Sequence, residues 1–178
     1  MQDGSKRVAA ITRSIEAVRA EFLDGLYFDY ELPLGRNQSE LSAAFTAYVA
    51  QATRMLHAAI PGSKLVVATA WSPDDIDGRD YDYVGLARSS DFLFVMDYDT
   101  RSAIYGRCIA SANAPLSKAS RSIQRYLDIG VPARQLIFGL PWYVSVSIAN
   151  PLAVASQVSF ELVAWQVWLQ LPLPSWNS

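Results

Sequence analysis

The chain has 178 residues, 17 acidic and 15 basic, and a net charge of −2, so no basic balance points to nucleic acid. With 51% hydrophobic residues it has enough apolar material for one well-cored domain. A single cysteine, Cys108, excludes an internal disulfide and a cysteine-based zinc site and reads as a small core residue; the lone histidine, His57, lacks partners at metal spacing.

The opening MQDGSKRVAAITRSIEAV has no apolar run of the kind a secretory leader needs. Over residues 6–22, Val8, Ile11, Ile15, Val18 and Phe22 recur at helical spacing. DGLYFDYE, residues 24–31, then reads as a buried strand that carries two carboxylates, Asp29 and Glu31. The sequon Asn37-Gln38-Ser39 matters only if the chain is secreted. Residues 38–60 predict a second helix, capped by Ser39 and stopped by Pro61-Gly62. KLVVATAW, residues 64–71, suits a strand buried on both faces.

The polar loop SPDDIDGRDYDY leads to a helical turn near 83–89, and DFLFVMDYD (91–99) is another buried strand. The helix over 117–129 ends at Gly130, and QLIFGLPWY (135–143) is a fourth strand. Four alternations of strand and helix imply a parallel sheet with crossover helices, either doubly wound or part of a (β/α) barrel. Neither GxGxxG nor GxxxxGK[ST] occurs, so nothing supports a nucleotide fold. From Val144 onward the pattern breaks: 144–178 is an apolar, tryptophan-rich tail whose only charge is Glu161. Gln157, Glu161, Gln166 and Gln170 make 152–171 a poor membrane helix, so membrane association is not expected.

Strand alternation sends Tyr27, Asp29 and Glu31 to one face of 24–31 and Leu26, Phe28 and Tyr30 to the other. Burial together with a neighbouring carboxylate favours a protonated acid beside a charged one, the state a general acid requires. A solvated strand end whose acids bond to loop amides is the plainer alternative. On 91–99, alternation brings Phe94, Met96 and Tyr98 to one face with Asp99 at the C-terminal edge. Trp71 ends one strand, and Trp142 and Tyr143 end another. Aromatics gathered at strand ends beside carboxylates suit sugar rings, whose apolar faces stack on them.

These residues resemble a known family. DGLYFDYE is similar to the DGxDxDxE signature of glycoside hydrolase family 18, the chitinases and their relatives. Met96-Asp97-Tyr98-Asp99 resembles its MxYD and Gly139-Leu140-Pro141-Trp142-Tyr143 its G-[LMV]-P-x-Y. AWSPDDID and ANAP look most like the family's chitobiase branch, and the likeness covers roughly residues 6–143. The resemblance implies a partial (β/α)8 TIM barrel, about its fourth to seventh strands, with 144–178 unlike the family. It implies no cofactor and no metal, with N-acetylglucosamine-containing oligosaccharide as partner and a lysosomal or secreted setting. The acidic run Asp74-Asp75-Ile76-Asp77-Gly78 does not fit an EF-hand.

The implied chemistry is substrate-assisted, outside the usual two-carboxylate scheme. Glu31 would protonate the glycosidic oxygen and later activate water. Asp29 would orient the 2-acetamido group that attacks the anomeric carbon, and Tyr98 would hydrogen-bond that group. Asp99, Met96, Tyr143, Trp71 and Tyr27 would line the substrate. Tyr27 stands where the family's motif has the first carboxylate of its inner trio. About half of the family's barrel is represented, so two readings stand: a hydrolase of β-1,4-linked N-acetylglucosamine, or a remnant that binds carbohydrate without turnover or has no function.

Overall fold

The structure is a computed structural model that describes residues 4–100 and 112–141. Cys108, Trp142, Tyr143 and the tail 144–178, with its candidate membrane segment, lie outside the described residues.

Helix α1 (Gly4–Ala20) buries Ile11, Ile15 and Val18, three of the five residues in the predicted stripe. Phe22 is 94% exposed because the helix ends at Ala20 and Phe22 takes a left-handed conformation, φ 55°, which turns its ring away from that stripe. Strand β1 is only Gly25–Phe28. It lies close against the next strand: a Cβ on Gly25 would run into the Lys64 carbonyl, which explains a glycine at the start of the pairing. Helix α2 (Ser39–Ala59) buries Phe45, Val49, Ala52 and Leu56 at helical spacing. Its N-cap is Gln38 rather than Ser39. The Gln38 side-chain oxygen instead accepts a hydrogen bond from the Gly35 N–H at 2.9 Å, closing the turn before the helix.

Strand β2 (Lys64–Thr69), helix α3 (Tyr83–Ser89), strand β3 (Phe92–Met96), helix α4 (Leu116–Asp128) and strand β4 (Leu136–Gly139) follow, with short 3-10 helices at Ile76–Gly78 and Ala133–Gln135. The sheet order is β1-β2-β3-β4, all parallel, with Val67 opposite Leu93 and Met96 opposite Gly139. Spatial order thus follows chain order without the reversal that marks a doubly wound sheet. Leu65, Val67, Leu93 and Val95 pack on one face with Ile11, Ile15, Leu56, Leu86 and Tyr126 from the four helices. Each such aliphatic side chain contributes about 1.5–3 kcal/mol by leaving water. The opposite face carries Tyr27, Phe94 and Gly139. The Tyr27 and Phe94 rings meet edge to face at 5.7 Å, and the Phe94 ring fills the place a Gly139 side chain would take.

Asp91 ties the N-terminal end of this sheet together. Its carboxylate accepts hydrogen bonds from the Leu65 N–H at 2.8 Å and from His57 Nε2 at 2.9 Å, and Lys64 lies 3.5 Å away. His57 therefore has a structural contact here. Asp91→Ala removes the acceptor for a buried strand amide and is expected to lower stability by about 1–3 kcal/mol, read as a shift of the urea midpoint at unchanged slope.

Candidate active site

The candidate site residues that the structure describes lie at the C-terminal end of the sheet. Strand β1 stops at Phe28, so Asp29 and Glu31 lie beyond the ladder on the segment that leads to α2. Both are exposed, which corrects the expectation of two carboxylates inside a buried strand. The reason is local: with no strand pairing after Phe28, the chain turns toward the β2–α3 loop and carries both carboxylates to the rim.

That loop then fixes the segment. Leu34 and Arg79 form an isolated parallel bridge, with the Leu34 N–H donating to the Gly78 carbonyl at 2.8 Å and the Asp80 N–H donating to the Leu34 carbonyl at 2.9 Å. The buried Tyr81 hydroxyl lies 3.0 Å from the Tyr30 carbonyl and 2.6 Å from that of Leu32, on either side of Glu31. Arg79, whose side chain is largely buried, meets the Glu31 carboxylate at 2.7 Å and that of Asp77 at 3.8 Å. The Tyr30, Phe45, Tyr81 and Tyr83 rings pack in a chain of contacts 4.9–6.0 Å between centroids, which immobilises the base of the loop.

Tyr98, just past β3, faces the same space. Burial pushes its phenol above the ordinary range, with further upward pushes from Asp29, Glu31 and Asp99. The Tyr27 phenol is raised strongly, first by burial and then by Tyr98, Asp29 and Glu31. The Asp29 and Glu31 carboxylates therefore both act on the Tyr27 and Tyr98 phenols, which brings four predicted site residues together. Asp99 is exposed, takes a left-handed conformation (φ 48°) that aspartate tolerates, and donates its N–H to the Asn113 side-chain oxygen. Met96 is half-buried at the end of β3.

Trp71 follows β2 and is held from the helix side. Its carbonyl accepts from the Ser122 hydroxyl, and the Lys118 ammonium sits 5.5 Å from its ring centroid. Trp71 thus stands at the same sheet end as the carboxylates and contacts α4 through both its carbonyl and its ring. Tyr143 lies outside the described residues. Among the described residues no group of three or more His, Cys, Asp or Glu side chains could hold a metal ion. In the acidic loop, Asp74 pairs with Arg125 at 2.7 Å, which holds its carboxyl below the usual range, and Asp75 lies 3.7 Å from Arg36.

Three residues of this end escaped sequence reasoning. Arg79 and Tyr81 act across about fifty residues, and no spacing rule reports such contacts. Asp97 is different. It is fully buried, among the described residues neither carboxylate oxygen has a hydrogen-bond partner, and burial pushes its carboxyl up to about 6. The alternation Leu93, Val95, Asp97 would have revealed it as a carboxylate directed toward the helix layer.

The sequence profile of glycosyl hydrolases family 18 matches residues 1–166. The chain belongs to that family. Its similarity to di-N-acetylchitobiase of Rattus norvegicus is 39% identity over 137 residues, covering 77% of this chain and 37% of the relative. Probable di-N-acetylchitobiase 2 of Dictyostelium discoideum is 42% identical over 135 residues, covering 75% of this chain and 34% of the relative. The chain therefore spans somewhat over a third of the length of these family 18 relatives.

Among solved structures, it resembles a mutant family 18 chitinase from Cycas revoluta in complex with (GlcNAc)4. The TM-score is 0.69 and the identity 25%, over 90% of this chain and 50% of that one. A class V chitinase from Nicotiana tobaccum, in complex with NAG4, superposes with TM-score 0.69 at 22% identity, over 83% of this chain and 45% of that one. The four parallel strands and their helices are thus part of the family 18 (β/α)8 barrel, and the doubly wound alternative falls away. The lineage is that of chitin-oligosaccharide glycosidases.

Proposed function

We propose that the chain hydrolyses β-1,4-linked N-acetylglucosamine by substrate-assisted, retaining catalysis. One observation carries this reading: the Asp29 and Glu31 carboxylates lie close enough to the Tyr27 and Tyr98 phenols, at one sheet end, that both carboxylates act on both phenols. Glu31, at the exposed rim, is the acid that protonates the leaving glycosidic oxygen and afterwards the base that takes a proton from water. Asp29 orients the 2-acetamido group, whose carbonyl oxygen attacks the anomeric carbon in place of an enzyme carboxylate. The Tyr98 hydroxyl, held neutral by burial and its acidic neighbours, donates a hydrogen bond to that group. Asp99, Met96, Trp71, Tyr27 and Tyr143 line the sugar. The lineage supports a lysosomal or secreted setting; among the described residues no helix is long and apolar enough to cross a membrane.

The test is hydrolysis of N,N′-diacetylchitobiose and a chromogenic chitobioside, with the first-formed product anomer read by proton NMR. Release of the β-anomer is expected; first release of the α-anomer would exclude the retaining route. A second reading, sugar binding without turnover, draws on the contact between Glu31 and Arg79 at 2.7 Å, which engages the proposed acid. It predicts quenching of Trp71 fluorescence by chitotetraose with no product released.

A further inference from the structure

The proposed acid sits on a segment that has left the sheet, so something other than strand pairing has to fix it. We infer that Tyr81 is the positioning residue for Glu31, with Arg79 of the same loop as the second point of attachment. This inference rests on the reading of Glu31 as the acid for its meaning, but its geometry stands independently.

The argument begins from the backbone. Between Phe28, the last residue of β1, and Leu34, the described residues show no ladder partner for the segment. The Tyr81 hydroxyl lies within hydrogen-bonding distance of the two carbonyls that flank Glu31, at 3.0 Å from Tyr30 and 2.6 Å from Leu32. A phenol has one proton, so it donates to one carbonyl at a time or shares between them, and either choice limits rotation of the peptide units around Glu31. Burial raises this phenol to about 12, so it remains a donor throughout the range in which the chain could work.

The hydroxyl is itself fixed. Tyr81 is 6% exposed and its ring contacts Tyr30 at 6.0 Å, Phe45 at 5.6 Å and Tyr83 at 5.8 Å. The Leu34–Arg79 bridge sets the register of the loop, and the Tyr83 hydroxyl donates to the Arg79 carbonyl at 2.9 Å. From this anchored backbone the Arg79 guanidinium reaches the Glu31 carboxylate at 2.7 Å. One loop thus holds both ends of Glu31, its peptide units through Tyr81 and its carboxylate through Arg79. A displacement of about 1 Å in such a group can lower a rate by about a hundredfold.

The experiment measures position and activity separately, in wild type and in Tyr81→Phe, which keeps the ring contacts and deletes only the hydroxyl. Thr53→Val is the control: it keeps the side-chain shape and deletes a hydroxyl that joins α2 to the end of α3, donating to the Ser89 carbonyl at 2.7 Å, outside the contacts that hold Glu31. Nitrogen-15 relaxation is expected to show the order parameter of Glu31 falling from about 0.85 to below about 0.6 in Tyr81→Phe but not in Thr53→Val. Where hydrolysis is measured, kcat should fall by about ten- to a hundredfold at unchanged KM. An unchanged order parameter at residues 29–32 in Tyr81→Phe overturns the inference, as does equal loosening in the control. Activity that survives Glu31→Gln would instead overturn the role of Glu31, while the relaxation data would still decide the role of Tyr81.

Discussion

Glu31→Gln is expected to reduce chitobioside hydrolysis by about 10²–10⁴-fold, the range a general acid–base group supplies. The two side chains have nearly the same shape, and the amide oxygen of Gln can still accept a hydrogen bond from Arg79, so the loop contact at 2.7 Å has a substitute. What disappears is a proton that can be given to the glycosidic oxygen and recovered from water. KM should stay within about twofold, because a group that acts on the reacting bond alone contributes little to ground-state binding. The Glu31 side chain is 48% exposed, so stability should change by no more than about 0.5 kcal/mol. A variant that still hydrolyses chitobioside at the wild-type rate would remove Glu31 from the chemistry.

The second large effect is on stability and concerns Asp97. Its carboxyl is fully buried with no hydrogen-bond partner among the described residues, and burial accounts for its rise from 3.8 to about 6. A folded-state value above the unfolded one means that the folded chain binds the proton more tightly. The resulting stabilisation is fully present below 3.8 and is lost as pH rises through about 6. The full swing is roughly 3 kcal/mol, about half of it between pH 5 and pH 7.5. Wild type should therefore have a higher urea midpoint at pH 5 than at pH 7.5, and Asp97→Asn should lose that difference and be the more stable at pH 7.5. If the stability difference between wild type and Asp97→Asn shows no pH dependence across this window, the burial argument is wrong.

The strands were legible because their apolar runs are long and bounded. KLVVAT and FLFVM are strands in the structure, and Leu65, Val67, Leu93 and Val95 form the helix-side core that alternation requires. The run DGLYFDYE was harder. Its aromatic and acidic alternation continues to Glu31, but hydrogen bonding ends at Phe28, and a periodic pattern does not report where a ladder partner stops. Asp29 and Glu31 were identified by their residue types and the family motif, while their exposure was missed for that reason. Phe22 failed similarly: helical spacing extends to it, but the backbone changes hand there. The gathering of Tyr27 and Tyr98 beside the carboxylates followed from alternation on two neighbouring faces. Arg79 and Tyr81 did not, since their contacts depend on how two loops fold back together.

The stitch between those loops also sets an order of events during synthesis. Tyr30 and Tyr81 are 51 residues apart, and the bond between them cannot form until both have emerged from the ribosome. At about 5–20 residues per second, Glu31 is in solution for several seconds before the loop that holds it exists. Strand β1 also gains its parallel neighbour only after α2 has been made. A nascent chain stalled before Tyr81 would present both carboxylates on an unanchored segment; one that has passed Tyr83 could close the stitch. The placement of Glu31 is therefore acquired late, as a product of the second βα unit rather than of the strand that precedes the carboxylates.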